Sequence, residues 1–418
     1  MTAKSRTGTR RVAVITGTRA EYGLLTSTIS AIHRHPSLKL QLVATGMHLL
    51  RKFGHTVDDI ARDGWTIDAE IPMQTGADSR LDQARGLARG VAGIAAYLDQ
   101  AKSDIVLVLG DRIEALAGTL AAVITGRILA HVHGGDIAPG DLDDSIRHAI
   151  SKLAHLHFPA TASARRRLLR MGESPSRIHV VGAPGLDRLF ELLHETSAGR
   201  GSDEFGPHDS FSPNHRAQRV FPLTKEGQRG VGKKSTIPPT KRILILQHPC
   251  GRSAAQEERV MGRILRAVDQ CDADAVCIYP NSDPGHTGIV AAIRKWHSQC
   301  GNAKVFRSLD RDAFLRELIR ADVLVGNSSS GVIEAPAAGV RSINVGPRQQ
   351  GRESGGRSVT HVAEGGPAIR KALAFAFSRR PISKARNAIG DGKSGQRVAD
   401  LLARIPLADS IRRKVNSY

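Results

Sequence analysis

The sequence predicts an α/β protein built from two doubly wound, parallel-sheet domains. Three observations carry that expectation: short β-branched apolar runs alternate with longer amphipathic segments, 418 residues exceed one ordinary core, and the alternation breaks off once and then resumes. "RVAVITG" reads as the first strand, "EYGLLTSTISAIHRH" as a helix and "KLQLVATG" as a second strand. "DIVLVLGD", "RIEALAGTLAAVITG" and "RILAHVHGG" continue the alternation, and the first domain, over 11–196, closes near "RIHVVGAPGLDRLFELL". Residues 197–240, rich in Gly, Pro, Ser and positive charge, are expected to form a basic linker or surface insertion. The pattern resumes with "KRILILQHP", "AAQEERVMGRILRAV", "DAVCIYPNSD", "AKVFRSLD", "DAFLRELIRADVLVGNSSS" and "RSINVG", which gives a second domain over 241–380. In 381–418, "SGQRVADLLARI" has helical spacing and is expected to pack back across either domain.

Composition excludes several classes. No stretch approaches the run of about 20 apolar residues that a membrane helix needs, and "MTAKSRTGTRR" has no apolar signal core, so a cytoplasmic protein without a membrane partner is expected. Cys250, Cys271, Cys277 and Cys300 lack zinc-site spacing and read as reduced, mostly buried thiols. The formal charge of +20 suggests an anionic partner, but the arginines are dispersed, few aromatics interleave, and no nucleic-acid-binding motif appears. A basic enzyme for a phosphorylated substrate fits better than a specific nucleic-acid binder.

In doubly wound sheets ligands bind beyond the carboxyl ends of the strands. Nearly every predicted strand here ends in polar or ionisable residues. Gly17-Thr18-Arg19 could hold a phosphate through helix-end N–H groups and a guanidinium, or be a glycine turn with a solvated arginine. Asp111 shares a turn with Arg112 and Glu114, and Asp136 follows His131, His133 and two glycines. Such carboxylates can move protons or cap the next helix. Asp143 and Arg147 share one face of the helix in "DLDDSIRHAISKLAHLHF", while His155 and His157 read as structural. His248 ends a strand as a phosphate donor or general acid; a metal role lacks a second ligand at helical spacing. Asn327 and Ser328–Ser330 offer donors at an expected helix start with Glu334 on the following turn, and one capping serine does not explain three. No G-x-S-x-G, H-E-x-x-H, Walker A or G-x-G-x-x-G pattern is present.

"GTRAEYG", "ATGMHLLRKFGHTVDDI", "LGDRIEALA", "HVHGGD", "DDSIRHAISKLAHLHF", "VGAPGLD", "LQHP", "YPNSD", "GNSSSGVIEAP" and "INVGPRQQGRE" occur in this order. Together they resemble the hydrolysing UDP-N-acetylglucosamine 2-epimerases, from residue 11 to about 362 apart from the insertion. The resemblance implies two Rossmann-like domains of the glycosyltransferase-B type, an active site in the interdomain cleft, a UDP-sugar substrate, no cofactor, no metal, and a homo-oligomer, dimer or tetramer. It further implies conversion of UDP-N-acetylglucosamine and water to N-acetylmannosamine and UDP, through elimination to a 2-acetamidoglucal and hydration with inversion at C2, as in the supply of sialic-acid-type sugars.

By the same resemblance Asp111 and Asp143 match acid/base carboxylates. Arg19, His248, Ser328 and Ser329 match diphosphate-side positions, Glu334 a ribose acceptor, and Asn281 and Arg348 further nucleotide positions. Ala20, His48, Arg112 and Arg147 complete the expected substrate-binding set. One departure stands out: many members carry glutamate where this chain has His133, so His133 or Asp136 substitutes for it, or the sugar differs. By the same resemblance, relatives that act on a 2,4-diacetamido-6-deoxy UDP-sugar can also carry histidine there. "GTRAEYG" resembles the hydrolysing branch and not the "GTRPEAIK" of the non-hydrolysing one. UDP-N-acetylglucosamine is therefore the leading expectation. The diacetamido sugar, a glycosyltransferase of the same fold and a binding protein without turnover are the alternatives.

Overall fold

A computed structural model describes residues 8–77, 79–137, 142–197, 241–299, 303–353, 358–379 and 389–415. The expected basic insertion, beyond Ser197, lies outside the described residues, as does Cys300. Two compact units account for the chain. The first comprises 8–197, 351–353 and 389–415; the second comprises 241–350 and 358–379.

The first unit contains β1 (Arg10–Thr16), α1 (Arg19–Arg34), β2 (Leu38–Thr45), α2 (Val57–Arg62), β3 (Ala69–Ile71), α3 (Arg80–Gln100) and β4 (Ile105–Leu109). It continues through α4 (Ile113–Ile124), β5 (Ile128–Val132), α5 (Asp143–Leu153), β6 (Leu156–Phe158), α6 (Ala162–Arg170) and α7 (Gly185–Ser197). Its sheet runs β3-β2-β1-β4-β5-β6 with every pair parallel. Helices cover both faces, so "IVLVL" of β4 is buried throughout and can be apolar without alternation. On one face Leu25, Ile29 and Ile32 of α1 pack with Val12 and Val14; on the other, Ile94 and Leu98 of α3 pack with Ile15 and Val106.

In the second unit, β7 (Lys241–Leu246), α8 (Ala254–Asp269), β8 (Ala273–Ile278), α9 (His286–His297), β9 (Lys304–Phe306) and α10 (Arg311–Arg320) lead to β10 (Val323–Gly326). α11 (Glu334–Ala338), β11 (Arg341–Val345), β12 (Val359–Val362) and α12 (Gly366–Ser378) follow. The order β12-β11-β10-β7-β8-β9 repeats the first sheet's winding. α8 begins at a reciprocal Ser253–Gln256 capping box, which satisfies two of the N–H groups a helix start leaves open. Gly326 is required at the end of β10: its φ is +142°, and a Cβ there would stand 2.0 Å from the Leu246 carbonyl oxygen.

The last helices, α13 (Ser394–Arg404) and α14 (Asp409–Arg412), belong to the first unit, where Val398, Ala399 and Leu402 join the α1 core. Three strands, β3, β6 and β12, were not anticipated. They are edge strands of three or four residues, too short to show a period. Of the described cysteines only Cys277 is buried; Cys250 and Cys271 are half-buried, which corrects the expectation of mostly buried thiols. None of the described helices is long and apolar enough to cross a membrane.

Candidate active site

Each sheet reverses its winding at one crevice, between β1 and β4 in the first unit and between β7 and β10 in the second. The candidate residues cluster beyond the carboxyl ends of those strands, where such folds hold ligands.

In the first unit Asp111, just past β4, pairs with Arg147 of α5. Arg147 is 3% exposed and also donates from Nη1 to the His133 carbonyl at 2.8 Å. Burial works against its charge, but Asp111, Asp136 and Asp143 outweigh it and raise its pKa. Asp143 opens α5 one turn before Arg147, as the spacing predicts. The Asp111 side chain is 19% exposed, so the carboxylate is fixed by a buried cation and still reachable.

His133 follows β5 with φ at +63°, a left-handed conformation uncommon for a residue with a side chain and frequent where function requires it. Its Nδ1 lies 3.0 Å from Asp136 Oδ2, and Arg352 reaches the same oxygen at 3.4 Å. Burial alone would raise Asp136, but the His133 hydrogen bond and the charges of Arg352 and Arg147 hold its carboxyl far below the usual range. An ionised Asp136 only accepts, so His133 Nδ1 donates to it, and Nε2 is the other ring nitrogen of this histidine–carboxylate dyad.

Behind these groups lies a buried polar shell. Arg19, at the start of α1, pairs with Asp59; Ala20 beside it is exposed. Arg112 Nε lies 3.4 Å from Glu114 Oε2, whose other oxygen accepts from Gln74 at 2.7 Å. Gly17 packs directly on Glu114, since a Cβ there would come within 2.3 Å of its side chain. The Gly17 N–H donates to Glu21 at 2.8 Å. Burial, with like charge from Glu114, pushes Glu21 up to about 8 against the pull of that N–H and of Arg112. His48 is fully buried, its ring nitrogens 3.2 Å from Thr16 Oγ1 and 2.7 Å from Thr56 Oγ1. Burial and Arg19 lower it to about 3, so it is a neutral spacer at physiological pH.

The second unit's cluster is built differently. Asn327, past β10, clamps the chain past β7: Oδ1 accepts from His248 N at 2.7 Å, and Nδ2 donates to the His248 carbonyl at 2.9 Å. The Asn281 N–H donates to His248 Nδ1 at 3.2 Å, which puts the proton of the neutral ring on Nε2. Gln349 donates to the Asn327 carbonyl at 3.0 Å, and Arg348 approaches the same oxygen at 3.5 Å. The expected helix start at the serines is instead a single 3-10 turn, Ser329–Gly331, with Ser328 accepting from Ser330 N at 3.3 Å. α11 begins three residues later with Glu334 and is only five residues long, because Gly339, in the left-handed conformation, ends it at once. Glu334 is buried and paired with Arg311.

Glu21, Glu114 and Arg352 were not among the expected site residues. Glu21 and Glu114 were visible as polar residues at strand ends; nothing in the letters links Arg352 to Asp136, 216 positions away. Among the described residues, no three His, Cys, Asp or Glu side chains gather as metal ligands would.

Two parallel six-stranded sheets of identical winding, each with its polar cluster at the reversal point, define two Rossmann-like domains of the glycosyltransferase-B type. The crystal structure of UDP-GlcNAc 2-epimerase from Neisseria meningitidis, bound to UDP-GlcNAc, superposes with a TM-score of 0.70 at 16% identity over 94% of this chain and 100% of that one. Residues 30–403 match the family model of UDP-N-acetylglucosamine 2-epimerase, and the chain belongs to that enzyme family. It is 33% identical to the UDP-N,N'-diacetylbacillosamine 2-epimerase (hydrolyzing) of Legionella pneumophila, across 98% of this chain and all of that protein. It is 32% identical to the UDP-N-acetylglucosamine 2-epimerase of Neisseria meningitidis, across 84% of this chain and 83% of that protein.

Proposed function

We propose that the protein is a hydrolysing 2-epimerase of a UDP-linked 2-acetamido sugar. The observation that carries the reading is the His133–Asp136 dyad beside the Asp111–Arg147 pair. The C2 proton of such a sugar is weakly acidic, and its removal needs a positioned base while the C1–O bond breaks. His133 Nε2 or Asp111 takes that proton as the bond's electron pair leaves with UDP, giving the 2-acetamidoglucal. Water then adds oxygen at C1, and a proton returns to C2 from the opposite face; Asp143 is the second acid/base carboxylate in this scheme. On the nucleotide side, Arg19, His248, Ser328 and Ser329 meet the diphosphate. Glu334 accepts from the ribose, with Asn281 and Arg348 alongside, and Arg112, Ala20 and His48 shape the sugar side. A homo-oligomeric cytoplasmic enzyme without metal or nicotinamide belongs to the same reading.

UDP-N,N'-diacetylbacillosamine is the first choice of substrate. The relative named for that sugar aligns over its whole length at 33% identity, and His133 stands where the resemblance leads one to expect the glutamate of many UDP-N-acetylglucosamine enzymes. UDP-N-acetylglucosamine, the sugar of the Neisseria relative, is the second reading. Proton NMR of the protein with each sugar in D₂O, without acceptor, tests both. The expected result is UDP plus the free 2-epimer carrying deuterium at C2, formed faster from the diacetamido sugar. A site built to hydrogen-bond a 6-hydroxyl rejects the 6-deoxy analogue, so the reverse preference establishes the second reading. UDP release only when an acceptor is added would make the protein a glycosyltransferase.

A further inference from the structure

Glu173, in the turn after α6, is 1% exposed and surrounded by nitrogen groups. His157 Nε2 lies at 2.8 Å, Lys152 Nζ at 3.1 Å and Lys414 Nζ at 2.6 Å. Burial would raise this carboxyl, but hydrogen bonds from His157 and Lys414 bring it down to about 2. Lys414 comes from the far end of the chain, two residues past α14. Its ammonium also donates to the carbonyls of Ser151, Lys152 and Ala154, at 3.2, 2.6 and 2.9 Å. Those oxygens lie at the C-terminal end of α5, where a helix leaves its last carbonyls open and its dipole favours a cation. The approach is itself fixed, because Arg177 donates to the carbonyls of Ile411 at 2.7 Å and Ser410 at 2.8 Å.

Asp143 opens the other end of α5, and Arg147 lies one turn further in. A helix of three turns transmits a shift at one end to the other, because its backbone hydrogen bonds resist stretching. We infer that Lys414 is a positioning residue: by clamping the C-terminal end of α5 against Glu173, it keeps Asp143 and Arg147 in register with Asp111 and His133. The inference rests on the functional reading above, in which those four side chains serve the reaction.

Lys414→Met keeps most of the stem and removes the donors. Its expected effect is a kcat lowered about 10- to 100-fold, the loss that a misplacement near 1 Å produces, with KM and UDP affinity nearly unchanged. Amide exchange in the final turn of α5 should quicken by about tenfold as the carbonyl bonds are lost. Glu173→Gln should move both readouts in the same direction. Unchanged kcat in a folded variant would overturn the positioning role, and unchanged exchange would overturn the clamp. If Lys414→Met does not fold, Lys414→Arg, which keeps the charge but alters its reach, gives the same two readouts. A wild type inert on every UDP-sugar would sink the functional reading by itself, and the exchange measurement would then decide the clamp alone.

Discussion

The two strand-end clusters occupy equivalent places in sheets of the same winding, yet they handle charge in opposite ways. In the first unit the polar groups are ionic and paired with one another: Asp111 with Arg147, Asp136 with His133 and Arg352, Arg19 with Asp59, and Arg112 with Glu114. In the second, Asn327, His248, Gln349 and Ser328 form a neutral scaffold that orients N–H and O–H donors, and the charges stand around it: Arg348 at the Asn327 carbonyl and the pairs Glu334–Arg311 and Arg252–Glu364. Paired charges inside a protein shift proton affinities, which proton transfer requires. Oriented neutral donors suit an anion that arrives with its own charge and leaves with it. Equal topology therefore fixes where a site lies, and side-chain charge separates its tasks.

The sharpest way to break this contrast is Asp111→Asn. It preserves shape but removes the charge that Arg147 faces, and kcat should fall by about 10²- to 10⁴-fold while UDP still binds. Isothermal titration with UDP beside steady-state turnover checks both halves. Loss of UDP affinity equal to the loss of turnover would place Asp111 in nucleotide binding and not in proton transfer.

A smaller effect should follow from Glu21. Its folded pKa of about 8 stands above the ordinary carboxyl value, so between roughly pH 4.5 and 8 the folded chain holds a proton that the unfolded chain has released. Stability from this group therefore falls as pH rises through that window, by an amount on the order of a few kcal/mol. Glu21→Gln should flatten the fall, so that denaturant midpoints at pH 5 and pH 8 lie closer together than in the wild type. An unchanged difference between those midpoints would show that Glu21 is already ionised in the folded protein, and would extend the paired-charge description to its burial shell.

Much of this was legible in the letters, for reasons that particular residues make plain. Strands β1, β4, β5, β7 and β10 are buried on both faces, so their apolar runs announce them, and the residues just past them announce the site. Asp143 and Arg147 were readable because helical spacing is local. Local rules do not reach across 216 positions to bring Arg352 to Asp136, or across 241 to bring Lys414 to Glu173; folding alone makes those pairs. Nor did the letters separate the 3-10 turn at the serines from α11, because donors at a helix start and donors in a lone 3-10 turn are the same residue types. His133 was a visible departure, but its union with Asp136 depends on a left-handed backbone that side-chain identity does not reveal.

The smallest expected effect lies in the second unit and sharpens the contrast. Ser328 accepts from Ser330 N at 3.3 Å, so its hydroxyl hydrogen is left to point elsewhere, and its neighbour Asn327 is held on three sides by hydrogen bonds. Removing the hydroxyl in Ser328→Ala deletes one neutral donor without leaving a buried charge unpaired. The cost in UDP affinity should be about 1 kcal/mol, or roughly fivefold, and the loosened turn should cost about as much stability. On the proposed reading that donor serves the diphosphate equally before and at the transition state, so KM should rise while kcat stays within about twofold. A kcat that fell instead would mean that the hydroxyl bonds only to charge developing on the leaving oxygen. The neutral scaffold would then have to be counted among the groups that drive C1–O cleavage, and the division of labour drawn from the two clusters would shift from binding against proton transfer to leaving group against base.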